Sequence, residues 1–299
     1  MNSPPTWSNP LRRLLRRSVR AALAFSPEPV RRAAARVPFS RYHALASGLF
    51  HGAEVIRWRR VRVKLDPGEV QGYYPYFFGD HCSPEIDQLV RLCGPGPAVV
   101  ADVGANVGMV SLALARACPH AEVFAFEPDR HVAALFQENL ALNPALRGRV
   151  RLVRQAAGDR DGAATFQPSS AVENNGIGRV VAGGAGHAGA YEVPVVRLDT
   201  FFARAGKDPA LVKIDVEGHE LAVLVEVHGV YHGADAASFN RRVRSRLEGA
   251  GYDLYALHGT DWRRCARVEE WPNRVHVFAL RPGLTPAGVG RVNFQPARA

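Results

Sequence analysis

Ala98-Val99-Val100-Ala101-Asp102-Val103-Gly104-Ala105-Asn106-Val107-Gly108 decides how this chain folds. Its first six residues form a nearly continuous apolar run, the signature of a strand buried on both faces. A turn with two glycines follows, and Gly108–Ala117 then carries helical spacing. The same alternation continues downstream. Glu122–Glu127 reads as a strand, Arg130–Leu142 as a helix and Val150–Gln155 as a third strand. Ala163–Gln167 and Glu192–Leu198 flank a Gly- and Ala-rich loop. Thr200–Ala205 predicts a short helix and Ala210–Val216 another buried strand, with an antiparallel pair from Tyr252–Leu257 and Arg274–Leu280. Strands alternating with helices in this way predict an α/β, doubly wound sheet that finishes in a hairpin.

Working upstream, Ser83-Pro84-Glu85 marks a helix start, with Ser83 as N-cap and Pro84 in the first turn. That helix is expected to end near Cys93. Before it lies the aromatic run Tyr73-Tyr74-Pro75-Tyr76-Phe77-Phe78, and before that Ile56–Leu65, which alternates as an edge strand or hairpin does. The expected organisation is a basic arm and small helical/β appendage over residues 1–70, a main domain over 71–283 and a tail over 284–299.

Hydrophobic residues make up 47% and charged residues 22% of the 299, an ordinary globular balance that excludes wholesale disorder. Cys82, Cys93, Cys118 and Cys265 lack metal-ligand spacing and read as structural thiols of a reducing compartment; no metal is expected. The net charge of +10 is unevenly spread: residues 1–64 hold 14 basic and 2 acidic side chains, the remainder 24 and 26. The core is near neutral, which argues against a nucleic-acid groove around the site. In the arm, Leu11, Leu14, Leu15 and Val19 recur at helical spacing between Arg12, Arg13, Arg16, Arg17 and Arg20. This reads either as a basic amphipathic helix for an anionic membrane surface or partner, or as a solvated arm. No apolar run reaches the ~18–20 residues of a spanning helix, and Ala21–Phe25 is short for a secretory core. The expected location is cytoplasmic, with peripheral membrane contact through the arm.

Asp102–Gly108 joins the first buried strand to its helix, and a glycine-bearing turn there lets a ligand approach the backbone and the helix N-terminus. It lacks the G-x-G-x-x-G order, with Asn106 between Gly104 and Gly108. Glu127, at the end of the second strand, is placed to accept both hydroxyls of an adenosine ribose. Nicotinamide enzymes share that geometry, so the pair predicts an adenosine ligand without choosing between them. Asp159, after the third strand, is either an acceptor for the adenine amine or a plain turn residue. Lys213-Ile214-Asp215-Val216-Glu217-Gly218-His219-Glu220 brings ionisable groups to the end of a later strand, where α/β sheets bind ligands.

These segments together resemble the FkbM family of methyltransferases. The resemblance is carried by Val100–Gly108, Phe126-Glu127-Pro128, Ala157-Gly158-Asp159, Asn174-Asn175-Gly176, Val193–Phe201 and Val212–Leu221, and spans roughly Pro84 to Val227. It implies a Rossmann-like sheet of the class I methyltransferase type and S-adenosyl-L-methionine as cofactor. It further implies that Asp102, Gly104, Asn106 and Gly108 meet the methionine end, Glu127 the ribose and Asp159 the adenine region. Asn174 and Asn175 match a family segment and are expected to line the acceptor site, although Asn-Gly is also a turn dipeptide.

Methyl transfer to a hydroxyl needs an in-line acceptor and a base for its proton. Asp215 or His219 is expected to be that base, with Glu217 orienting the acceptor or the cofactor's ammonium group. The expected acceptor is a hydroxyl of a glycan or secondary metabolite. Tyr73, Tyr74 and Tyr76 read as packing of the appendage, with an aromatic wall for a sugar or macrolide as the alternative. One stretch departs from the family: only eight residues separate Val216 from the strand-like Val225-Glu226-Val227-His228, while a parallel crossover takes about a dozen or more. A stretch of helix looks deleted, which keeps a non-catalytic, cofactor-binding or scaffold protein as the alternative reading.

Overall fold

The computed structural model describes residues 10–35, 50–79, 83–168, 178–181, 189–216, 245, 248–249, 253–258, 261–264 and 276–280. Its centre is a four-stranded parallel sheet of β3 (Ala98–Val103), β4 (Ala121–Phe126), β5 (Val150–Val153) and β10 (Leu211–Ile214), in the order β10-β3-β4-β5. The chain winds outward from β3 to β4 and β5, then returns to β3's other side as β10. That reversal makes the sheet Rossmann-like and doubly wound. It also opens a crevice at the carboxyl ends of β3 and β10, where such sheets bind ligands.

Both faces of the sheet are buried, which is why its strands read as apolar runs. Val100, Val123 and Ala125 face a core shared with α5 (Met109–Ala117) and α6 (Arg130–Ala141). Ala101, Val103, Phe124 and Phe126 face α7 (Leu198–Ala205). There Phe201 meets Phe126 edge-on at 4.9 Å between ring centroids, and Phe202 meets Phe124 at 5.4 Å. Edge-to-face aromatic pairs of this kind add about 0.5–1.5 kcal/mol each beyond their buried area.

Two further sheets come from later segments of the chain. β6 (Ala156–Ala157), β7 (Gly162–Gln167), β8 (Arg179–Val181) and β9 (Tyr191–Val196) form a second, mostly antiparallel sheet in the order β6-β9-β7-β8. β11 (Asp253–His258) pairs antiparallel with β13 (His276–Leu280), as the sequence predicts, and also with β12 (Asp261–Arg264).

The appendage comprises α1 (Pro10–Phe25), α2 (Glu28–Ala35), the antiparallel hairpin of β1 (Glu54–Trp58) and β2 (Val61–Leu65), and α3 (Val70–Phe78). Ile56, Trp58, Val61, Val63 and Leu65 all point inward and share the core of Val100, Leu112 and Phe136. Tyr73, Tyr76 and Phe77 of α3 join the same core, so the packing reading of the aromatic run holds for them. α4 (Ser83–Cys93) follows as expected.

The arm is docked rather than solvated over α1. Arg16, only 1% exposed, ion-pairs through Nη2 with Glu54 Oε1 at 2.7 Å, and its Nη1 donates to the carbonyls of Phe50 and His51. Burial pushes the Glu54 carboxyl up, but the hydrogen bonds and charges of Arg16 and Arg17 outweigh it and hold the group below its ordinary value. Among the described residues, no helix is long and apolar enough to cross a membrane. Residues 217–244 lie outside the described part, and with them the shortened crossover read from the sequence.

Candidate active site

The crevice between β3 and β10 is built from the bottom by buried charge. Asp102, at the end of β3 and fully buried, accepts the Ser111 hydroxyl at 2.5 Å through Oδ2. Its Oδ1 ion-pairs with Lys213 Nζ at 3.1 Å. The same ammonium donates to the carbonyl of Gly104 at 3.1 Å and stands 3.7 Å from Asp215 Oδ2. One cation therefore ties the glycine turn, β3 and the end of β10 together. Lys213 was quoted in the sequence motif without a role, since a lysine in a strand reads as a surface residue until its partner 111 positions upstream is known.

Over this base runs the turn Gly104–Gly108. Gly104 sits at φ +73°, and a Cβ there would collide with the Asp215 carbonyl oxygen. Replacing Gly104 by Ala is therefore expected to destabilise the fold by about 2–3 kcal/mol, a left-handed backbone penalty plus overpacking. Gly206→Ala is the control: φ is +61° but nothing lies within reach of its Cβ, so about 1–2 kcal/mol is expected. Urea midpoints of the two variants separate the packing contribution from the backbone contribution. At the far end of the turn Gly108 is the N-cap of α5, seated against Phe136. Buried Asn139 accepts the Lys64 N–H at 2.7 Å and donates to the Val107 carbonyl at 2.9 Å, linking the hairpin to the turn.

Glu127 closes the other side. Its Oε2 accepts the Asn106 N–H and its Oε1 the Asp129 N–H, both at 2.9 Å. A carboxylate offers about four lone-pair sites, so roughly one on each oxygen is left for a ligand. Burial pushes the Glu127 carboxyl up to about 7, against the pull of the two backbone donors. Asp129, absent from the sequence-predicted set, caps α6 by accepting the N–H groups of His131 and Val132 and also lines the cavity. Its signal was the acidic residue just ahead of a helical run.

The cavity brings together Gly104, Asn106, Glu127 and Asp215 from the predicted residues. Asp102 and Gly108 support the turn from beneath and do not line the cavity. Asp159 does not reach it either: the side chain is exposed on the turn after β6, and Gln155, Ala156 and Ala157 line the wall instead. The strand pairing explains this, because Ala156 and Ala157 pair with Val195 and Val196, and the Gly158 N–H donates to the Val196 carbonyl, turning the chain away. Phe166 and Val180 of the second sheet roof the cavity. Glu217, His219, Asn174 and Asn175 lie outside the described residues.

The raised Glu127 carboxyl has a consequence for pH. Accepting two hydroxyls requires the carboxylate, so affinity for a ribose-bearing ligand is expected to rise with pH through about 7 and then level off. Between pH 8.5 and pH 5.5 the dissociation constant should rise about thirtyfold, a titration series that calorimetry follows directly. Stability moves the other way. The folded protein holds this proton more tightly than the unfolded chain, so the group's contribution is full below about 4.5 and is lost as pH rises through about 7.

A family model described as the methyltransferase FkbM domain matches residues 102–254. The chain is 29% identical over 150 residues to the 2-O-methyltransferase NoeI of Sinorhizobium fredii, covering 46% of this chain and 60% of that one. It is 40% identical over 80 residues to the methyltransferase sdnD of Sordaria araneosa, covering 27% and 29% respectively. The solved structure of methyltransferase FkbM from Methylobacillus flagellatus aligns at 16% identity and a TM-score of 0.34, over 54% of this chain and 40% of that one. The matches thus span less than two thirds of each of these curated relatives.

Proposed function

The chain belongs to the FkbM methyltransferase family, and from that premise we propose that it methylates a hydroxyl oxygen of a glycan or secondary metabolite with S-adenosyl-L-methionine as donor. The observation that carries the reading is Glu127: a buried carboxylate at the switch-point crevice with acceptor capacity left on both oxygens. The residues present fit that cofactor. Glu127 would hold the ribose hydroxyls, and the backbone of Gly104 and Asn106, on a turn too close to β10 for a Cβ at Gly104, would flank the methionine part. The 2-O-methyltransferase NoeI, at 29% identity, supports an oxygen acceptor.

When bound, S-adenosylmethionine supplies a methyl group made electrophilic by the adjacent sulfonium. The chain's own work is positioning and proton removal. Holding an acceptor oxygen in line is worth about 7–11 kcal/mol of the barrier. Asp215, at the cavity and partly exposed, is the described carboxylate that would take the acceptor's proton. Lys213 beside it keeps that carboxylate oriented toward the turn. His219 and Glu217 extend the same motif as alternative base and orienting group.

The test is calorimetric titration of S-adenosylmethionine into the chain, followed by a screen of hydroxylated glycans with isotopically labelled methyl donor. Saturable binding and label in an ether methyl support the proposal. Label appearing only on nitrogen acceptors would overturn the oxygen assignment, and binding with no transfer to any acceptor would favour the non-catalytic reading.

A further inference from the structure

We propose that the outer face of α1 is a docking surface for an anionic phospholipid bilayer. Among the described residues, the large apolar side chains left in solvent are concentrated here: Leu11 is 73% exposed, Leu14 64% and Phe25 90%, with Leu15 beside them. Elsewhere among the described residues only Val30, Val55 and Val212 are comparable, each alone on its helix or strand. At about 100° per residue, Leu11, Leu14, Leu15, Ser18, Ala22 and Phe25 fall within an arc of about 100°, so they form one continuous stripe.

The docking of the helix fixes which way that stripe looks. Arg16 points the opposite way, into its buried pair with Glu54 and onto the carbonyls of Phe50 and His51. Val19 and Leu23 pack on the core, and the Arg20 guanidinium lies 5.0 Å over the Tyr76 ring. Rolling the helix to hide its leucines would pull Arg16 from Glu54 and leave a buried carboxylate without its main cation, which is costly. The apolar stripe is thereby held outward by the chain's own electrostatics.

Charge selects the occupant. α1 carries five arginines and no acidic residue. Arg12 borders the stripe on one side; on the other stand Arg17 and Arg13, whose Nε atoms reach Glu54 at 3.4 and 3.5 Å while about half of each side chain stays in solvent. Residues 1–64 hold 14 basic and 2 acidic side chains. An apolar stripe edged by long cationic side chains suits the headgroup boundary, where leucines enter the acyl region and guanidinium groups stay at the phosphates. A second copy of the chain fits poorly, because two-fold pairing of this face would set arginine against arginine.

The test is flotation of the full chain with vesicles of phosphatidylcholine alone and of phosphatidylcholine with phosphatidylserine. Binding is expected to the phosphatidylserine vesicles, to weaken with added salt, and to fall about tenfold or more in Leu14→Asp/Phe25→Asp. Both positions are exposed, so the variant should melt at the wild-type temperature. A Phe25→Trp variant gives an independent readout, a blue shift of its emission on adding phosphatidylserine vesicles. Absent binding, equal binding to neutral vesicles, or no shift at Trp would overturn the proposal. So would a dimer that Leu14→Asp/Phe25→Asp converts to monomer while vesicle binding is unchanged, since the face would then be a self-interface.

Discussion

Replacing Glu127 by Ala is expected to weaken S-adenosylmethionine binding by about a hundredfold or more while leaving the fold intact. Each hydroxyl held by a buried carboxylate is a charge-assisted hydrogen bond, contributing about 1.5–3 kcal/mol. Two of them give about 3 kcal/mol at the low end, which is roughly two decades of dissociation constant. The fold should tolerate the change because Glu127 is not a structural anchor in the way Asp102 is. Its burial disfavours the charged form, and the Asn106 and Asp129 N–H groups it leaves border a cavity that water can enter. Glu127→Gln keeps one acceptor and turns the other into a donor, so a loss of about thirtyfold, short of that of the Ala variant, is expected. Titration calorimetry above pH 8, where the wild-type carboxylate is ionised, ranks the three proteins. Wild-type affinity in the Ala variant would remove the ribose role and return the cavity to an unassigned state.

The central sheet was legible in the sequence because strands buried on both faces cannot carry polar residues except at their ends. Asp102 and Glu127 stand out for that reason, each at or just beyond a strand's carboxyl end. α3 was not legible as a helix: Pro75 inside it reads as a breaker, and its order comes from the burial of Tyr73, Tyr76 and Phe77 in the shared core and from tertiary contacts such as Phe50–Phe77 at 5.0 Å. Nor could the sequence distinguish Arg16 from its four neighbouring arginines. Only the fold shows that Arg16 is the one buried against Glu54, on a strand 38 residues away, while Arg13 and Arg17 reach the same carboxylate from more exposed positions. The second sheet hid for a related reason. Two residues, Ala156 and Ala157, are too short a run to announce a strand, and their partners on β9 lie far along the chain. That pairing is what carries Asp159 away from the cavity the motif suggested for it. Local patterns therefore picked out the glycine turn and Glu127, which share one cavity, while contacts distant in sequence decided which other polar groups join them.

Lys213→Met is the substitution expected to cost most in stability, about 3–5 kcal/mol, because it strands a fully buried carboxylate. Met roughly matches the aliphatic stem, so packing is nearly preserved and the loss reports on charge. Asp102 would retain only the Ser111 hydroxyl, and the Gly104 carbonyl would lose its ammonium donor. The comparison that isolates this cause is Asp102→Asn in the same background. Asn keeps the side chain's size and its carbonyl can still accept from Ser111, yet it needs no cation. If the stranded charge is the cost, Lys213→Met/Asp102→Asn should be about 2 kcal/mol or more stabler than the sum of the single variants predicts, a coupling that urea denaturation of the four proteins measures. The Gly104–Gly108 turn should feel the same change. Without the ammonium, Gly104 is held to β4 by its own N–H on the Phe126 carbonyl, and β10 to β3 by the Asp215 N–H on Val103. A cost below about 1 kcal/mol with no coupling would mean that these backbone bonds alone carry the turn, and that water reaches Asp102 once the lysine is gone. The expected result instead makes Lys213 the residue that couples the stability of the sheet to the shape of the Gly104–Gly108 turn.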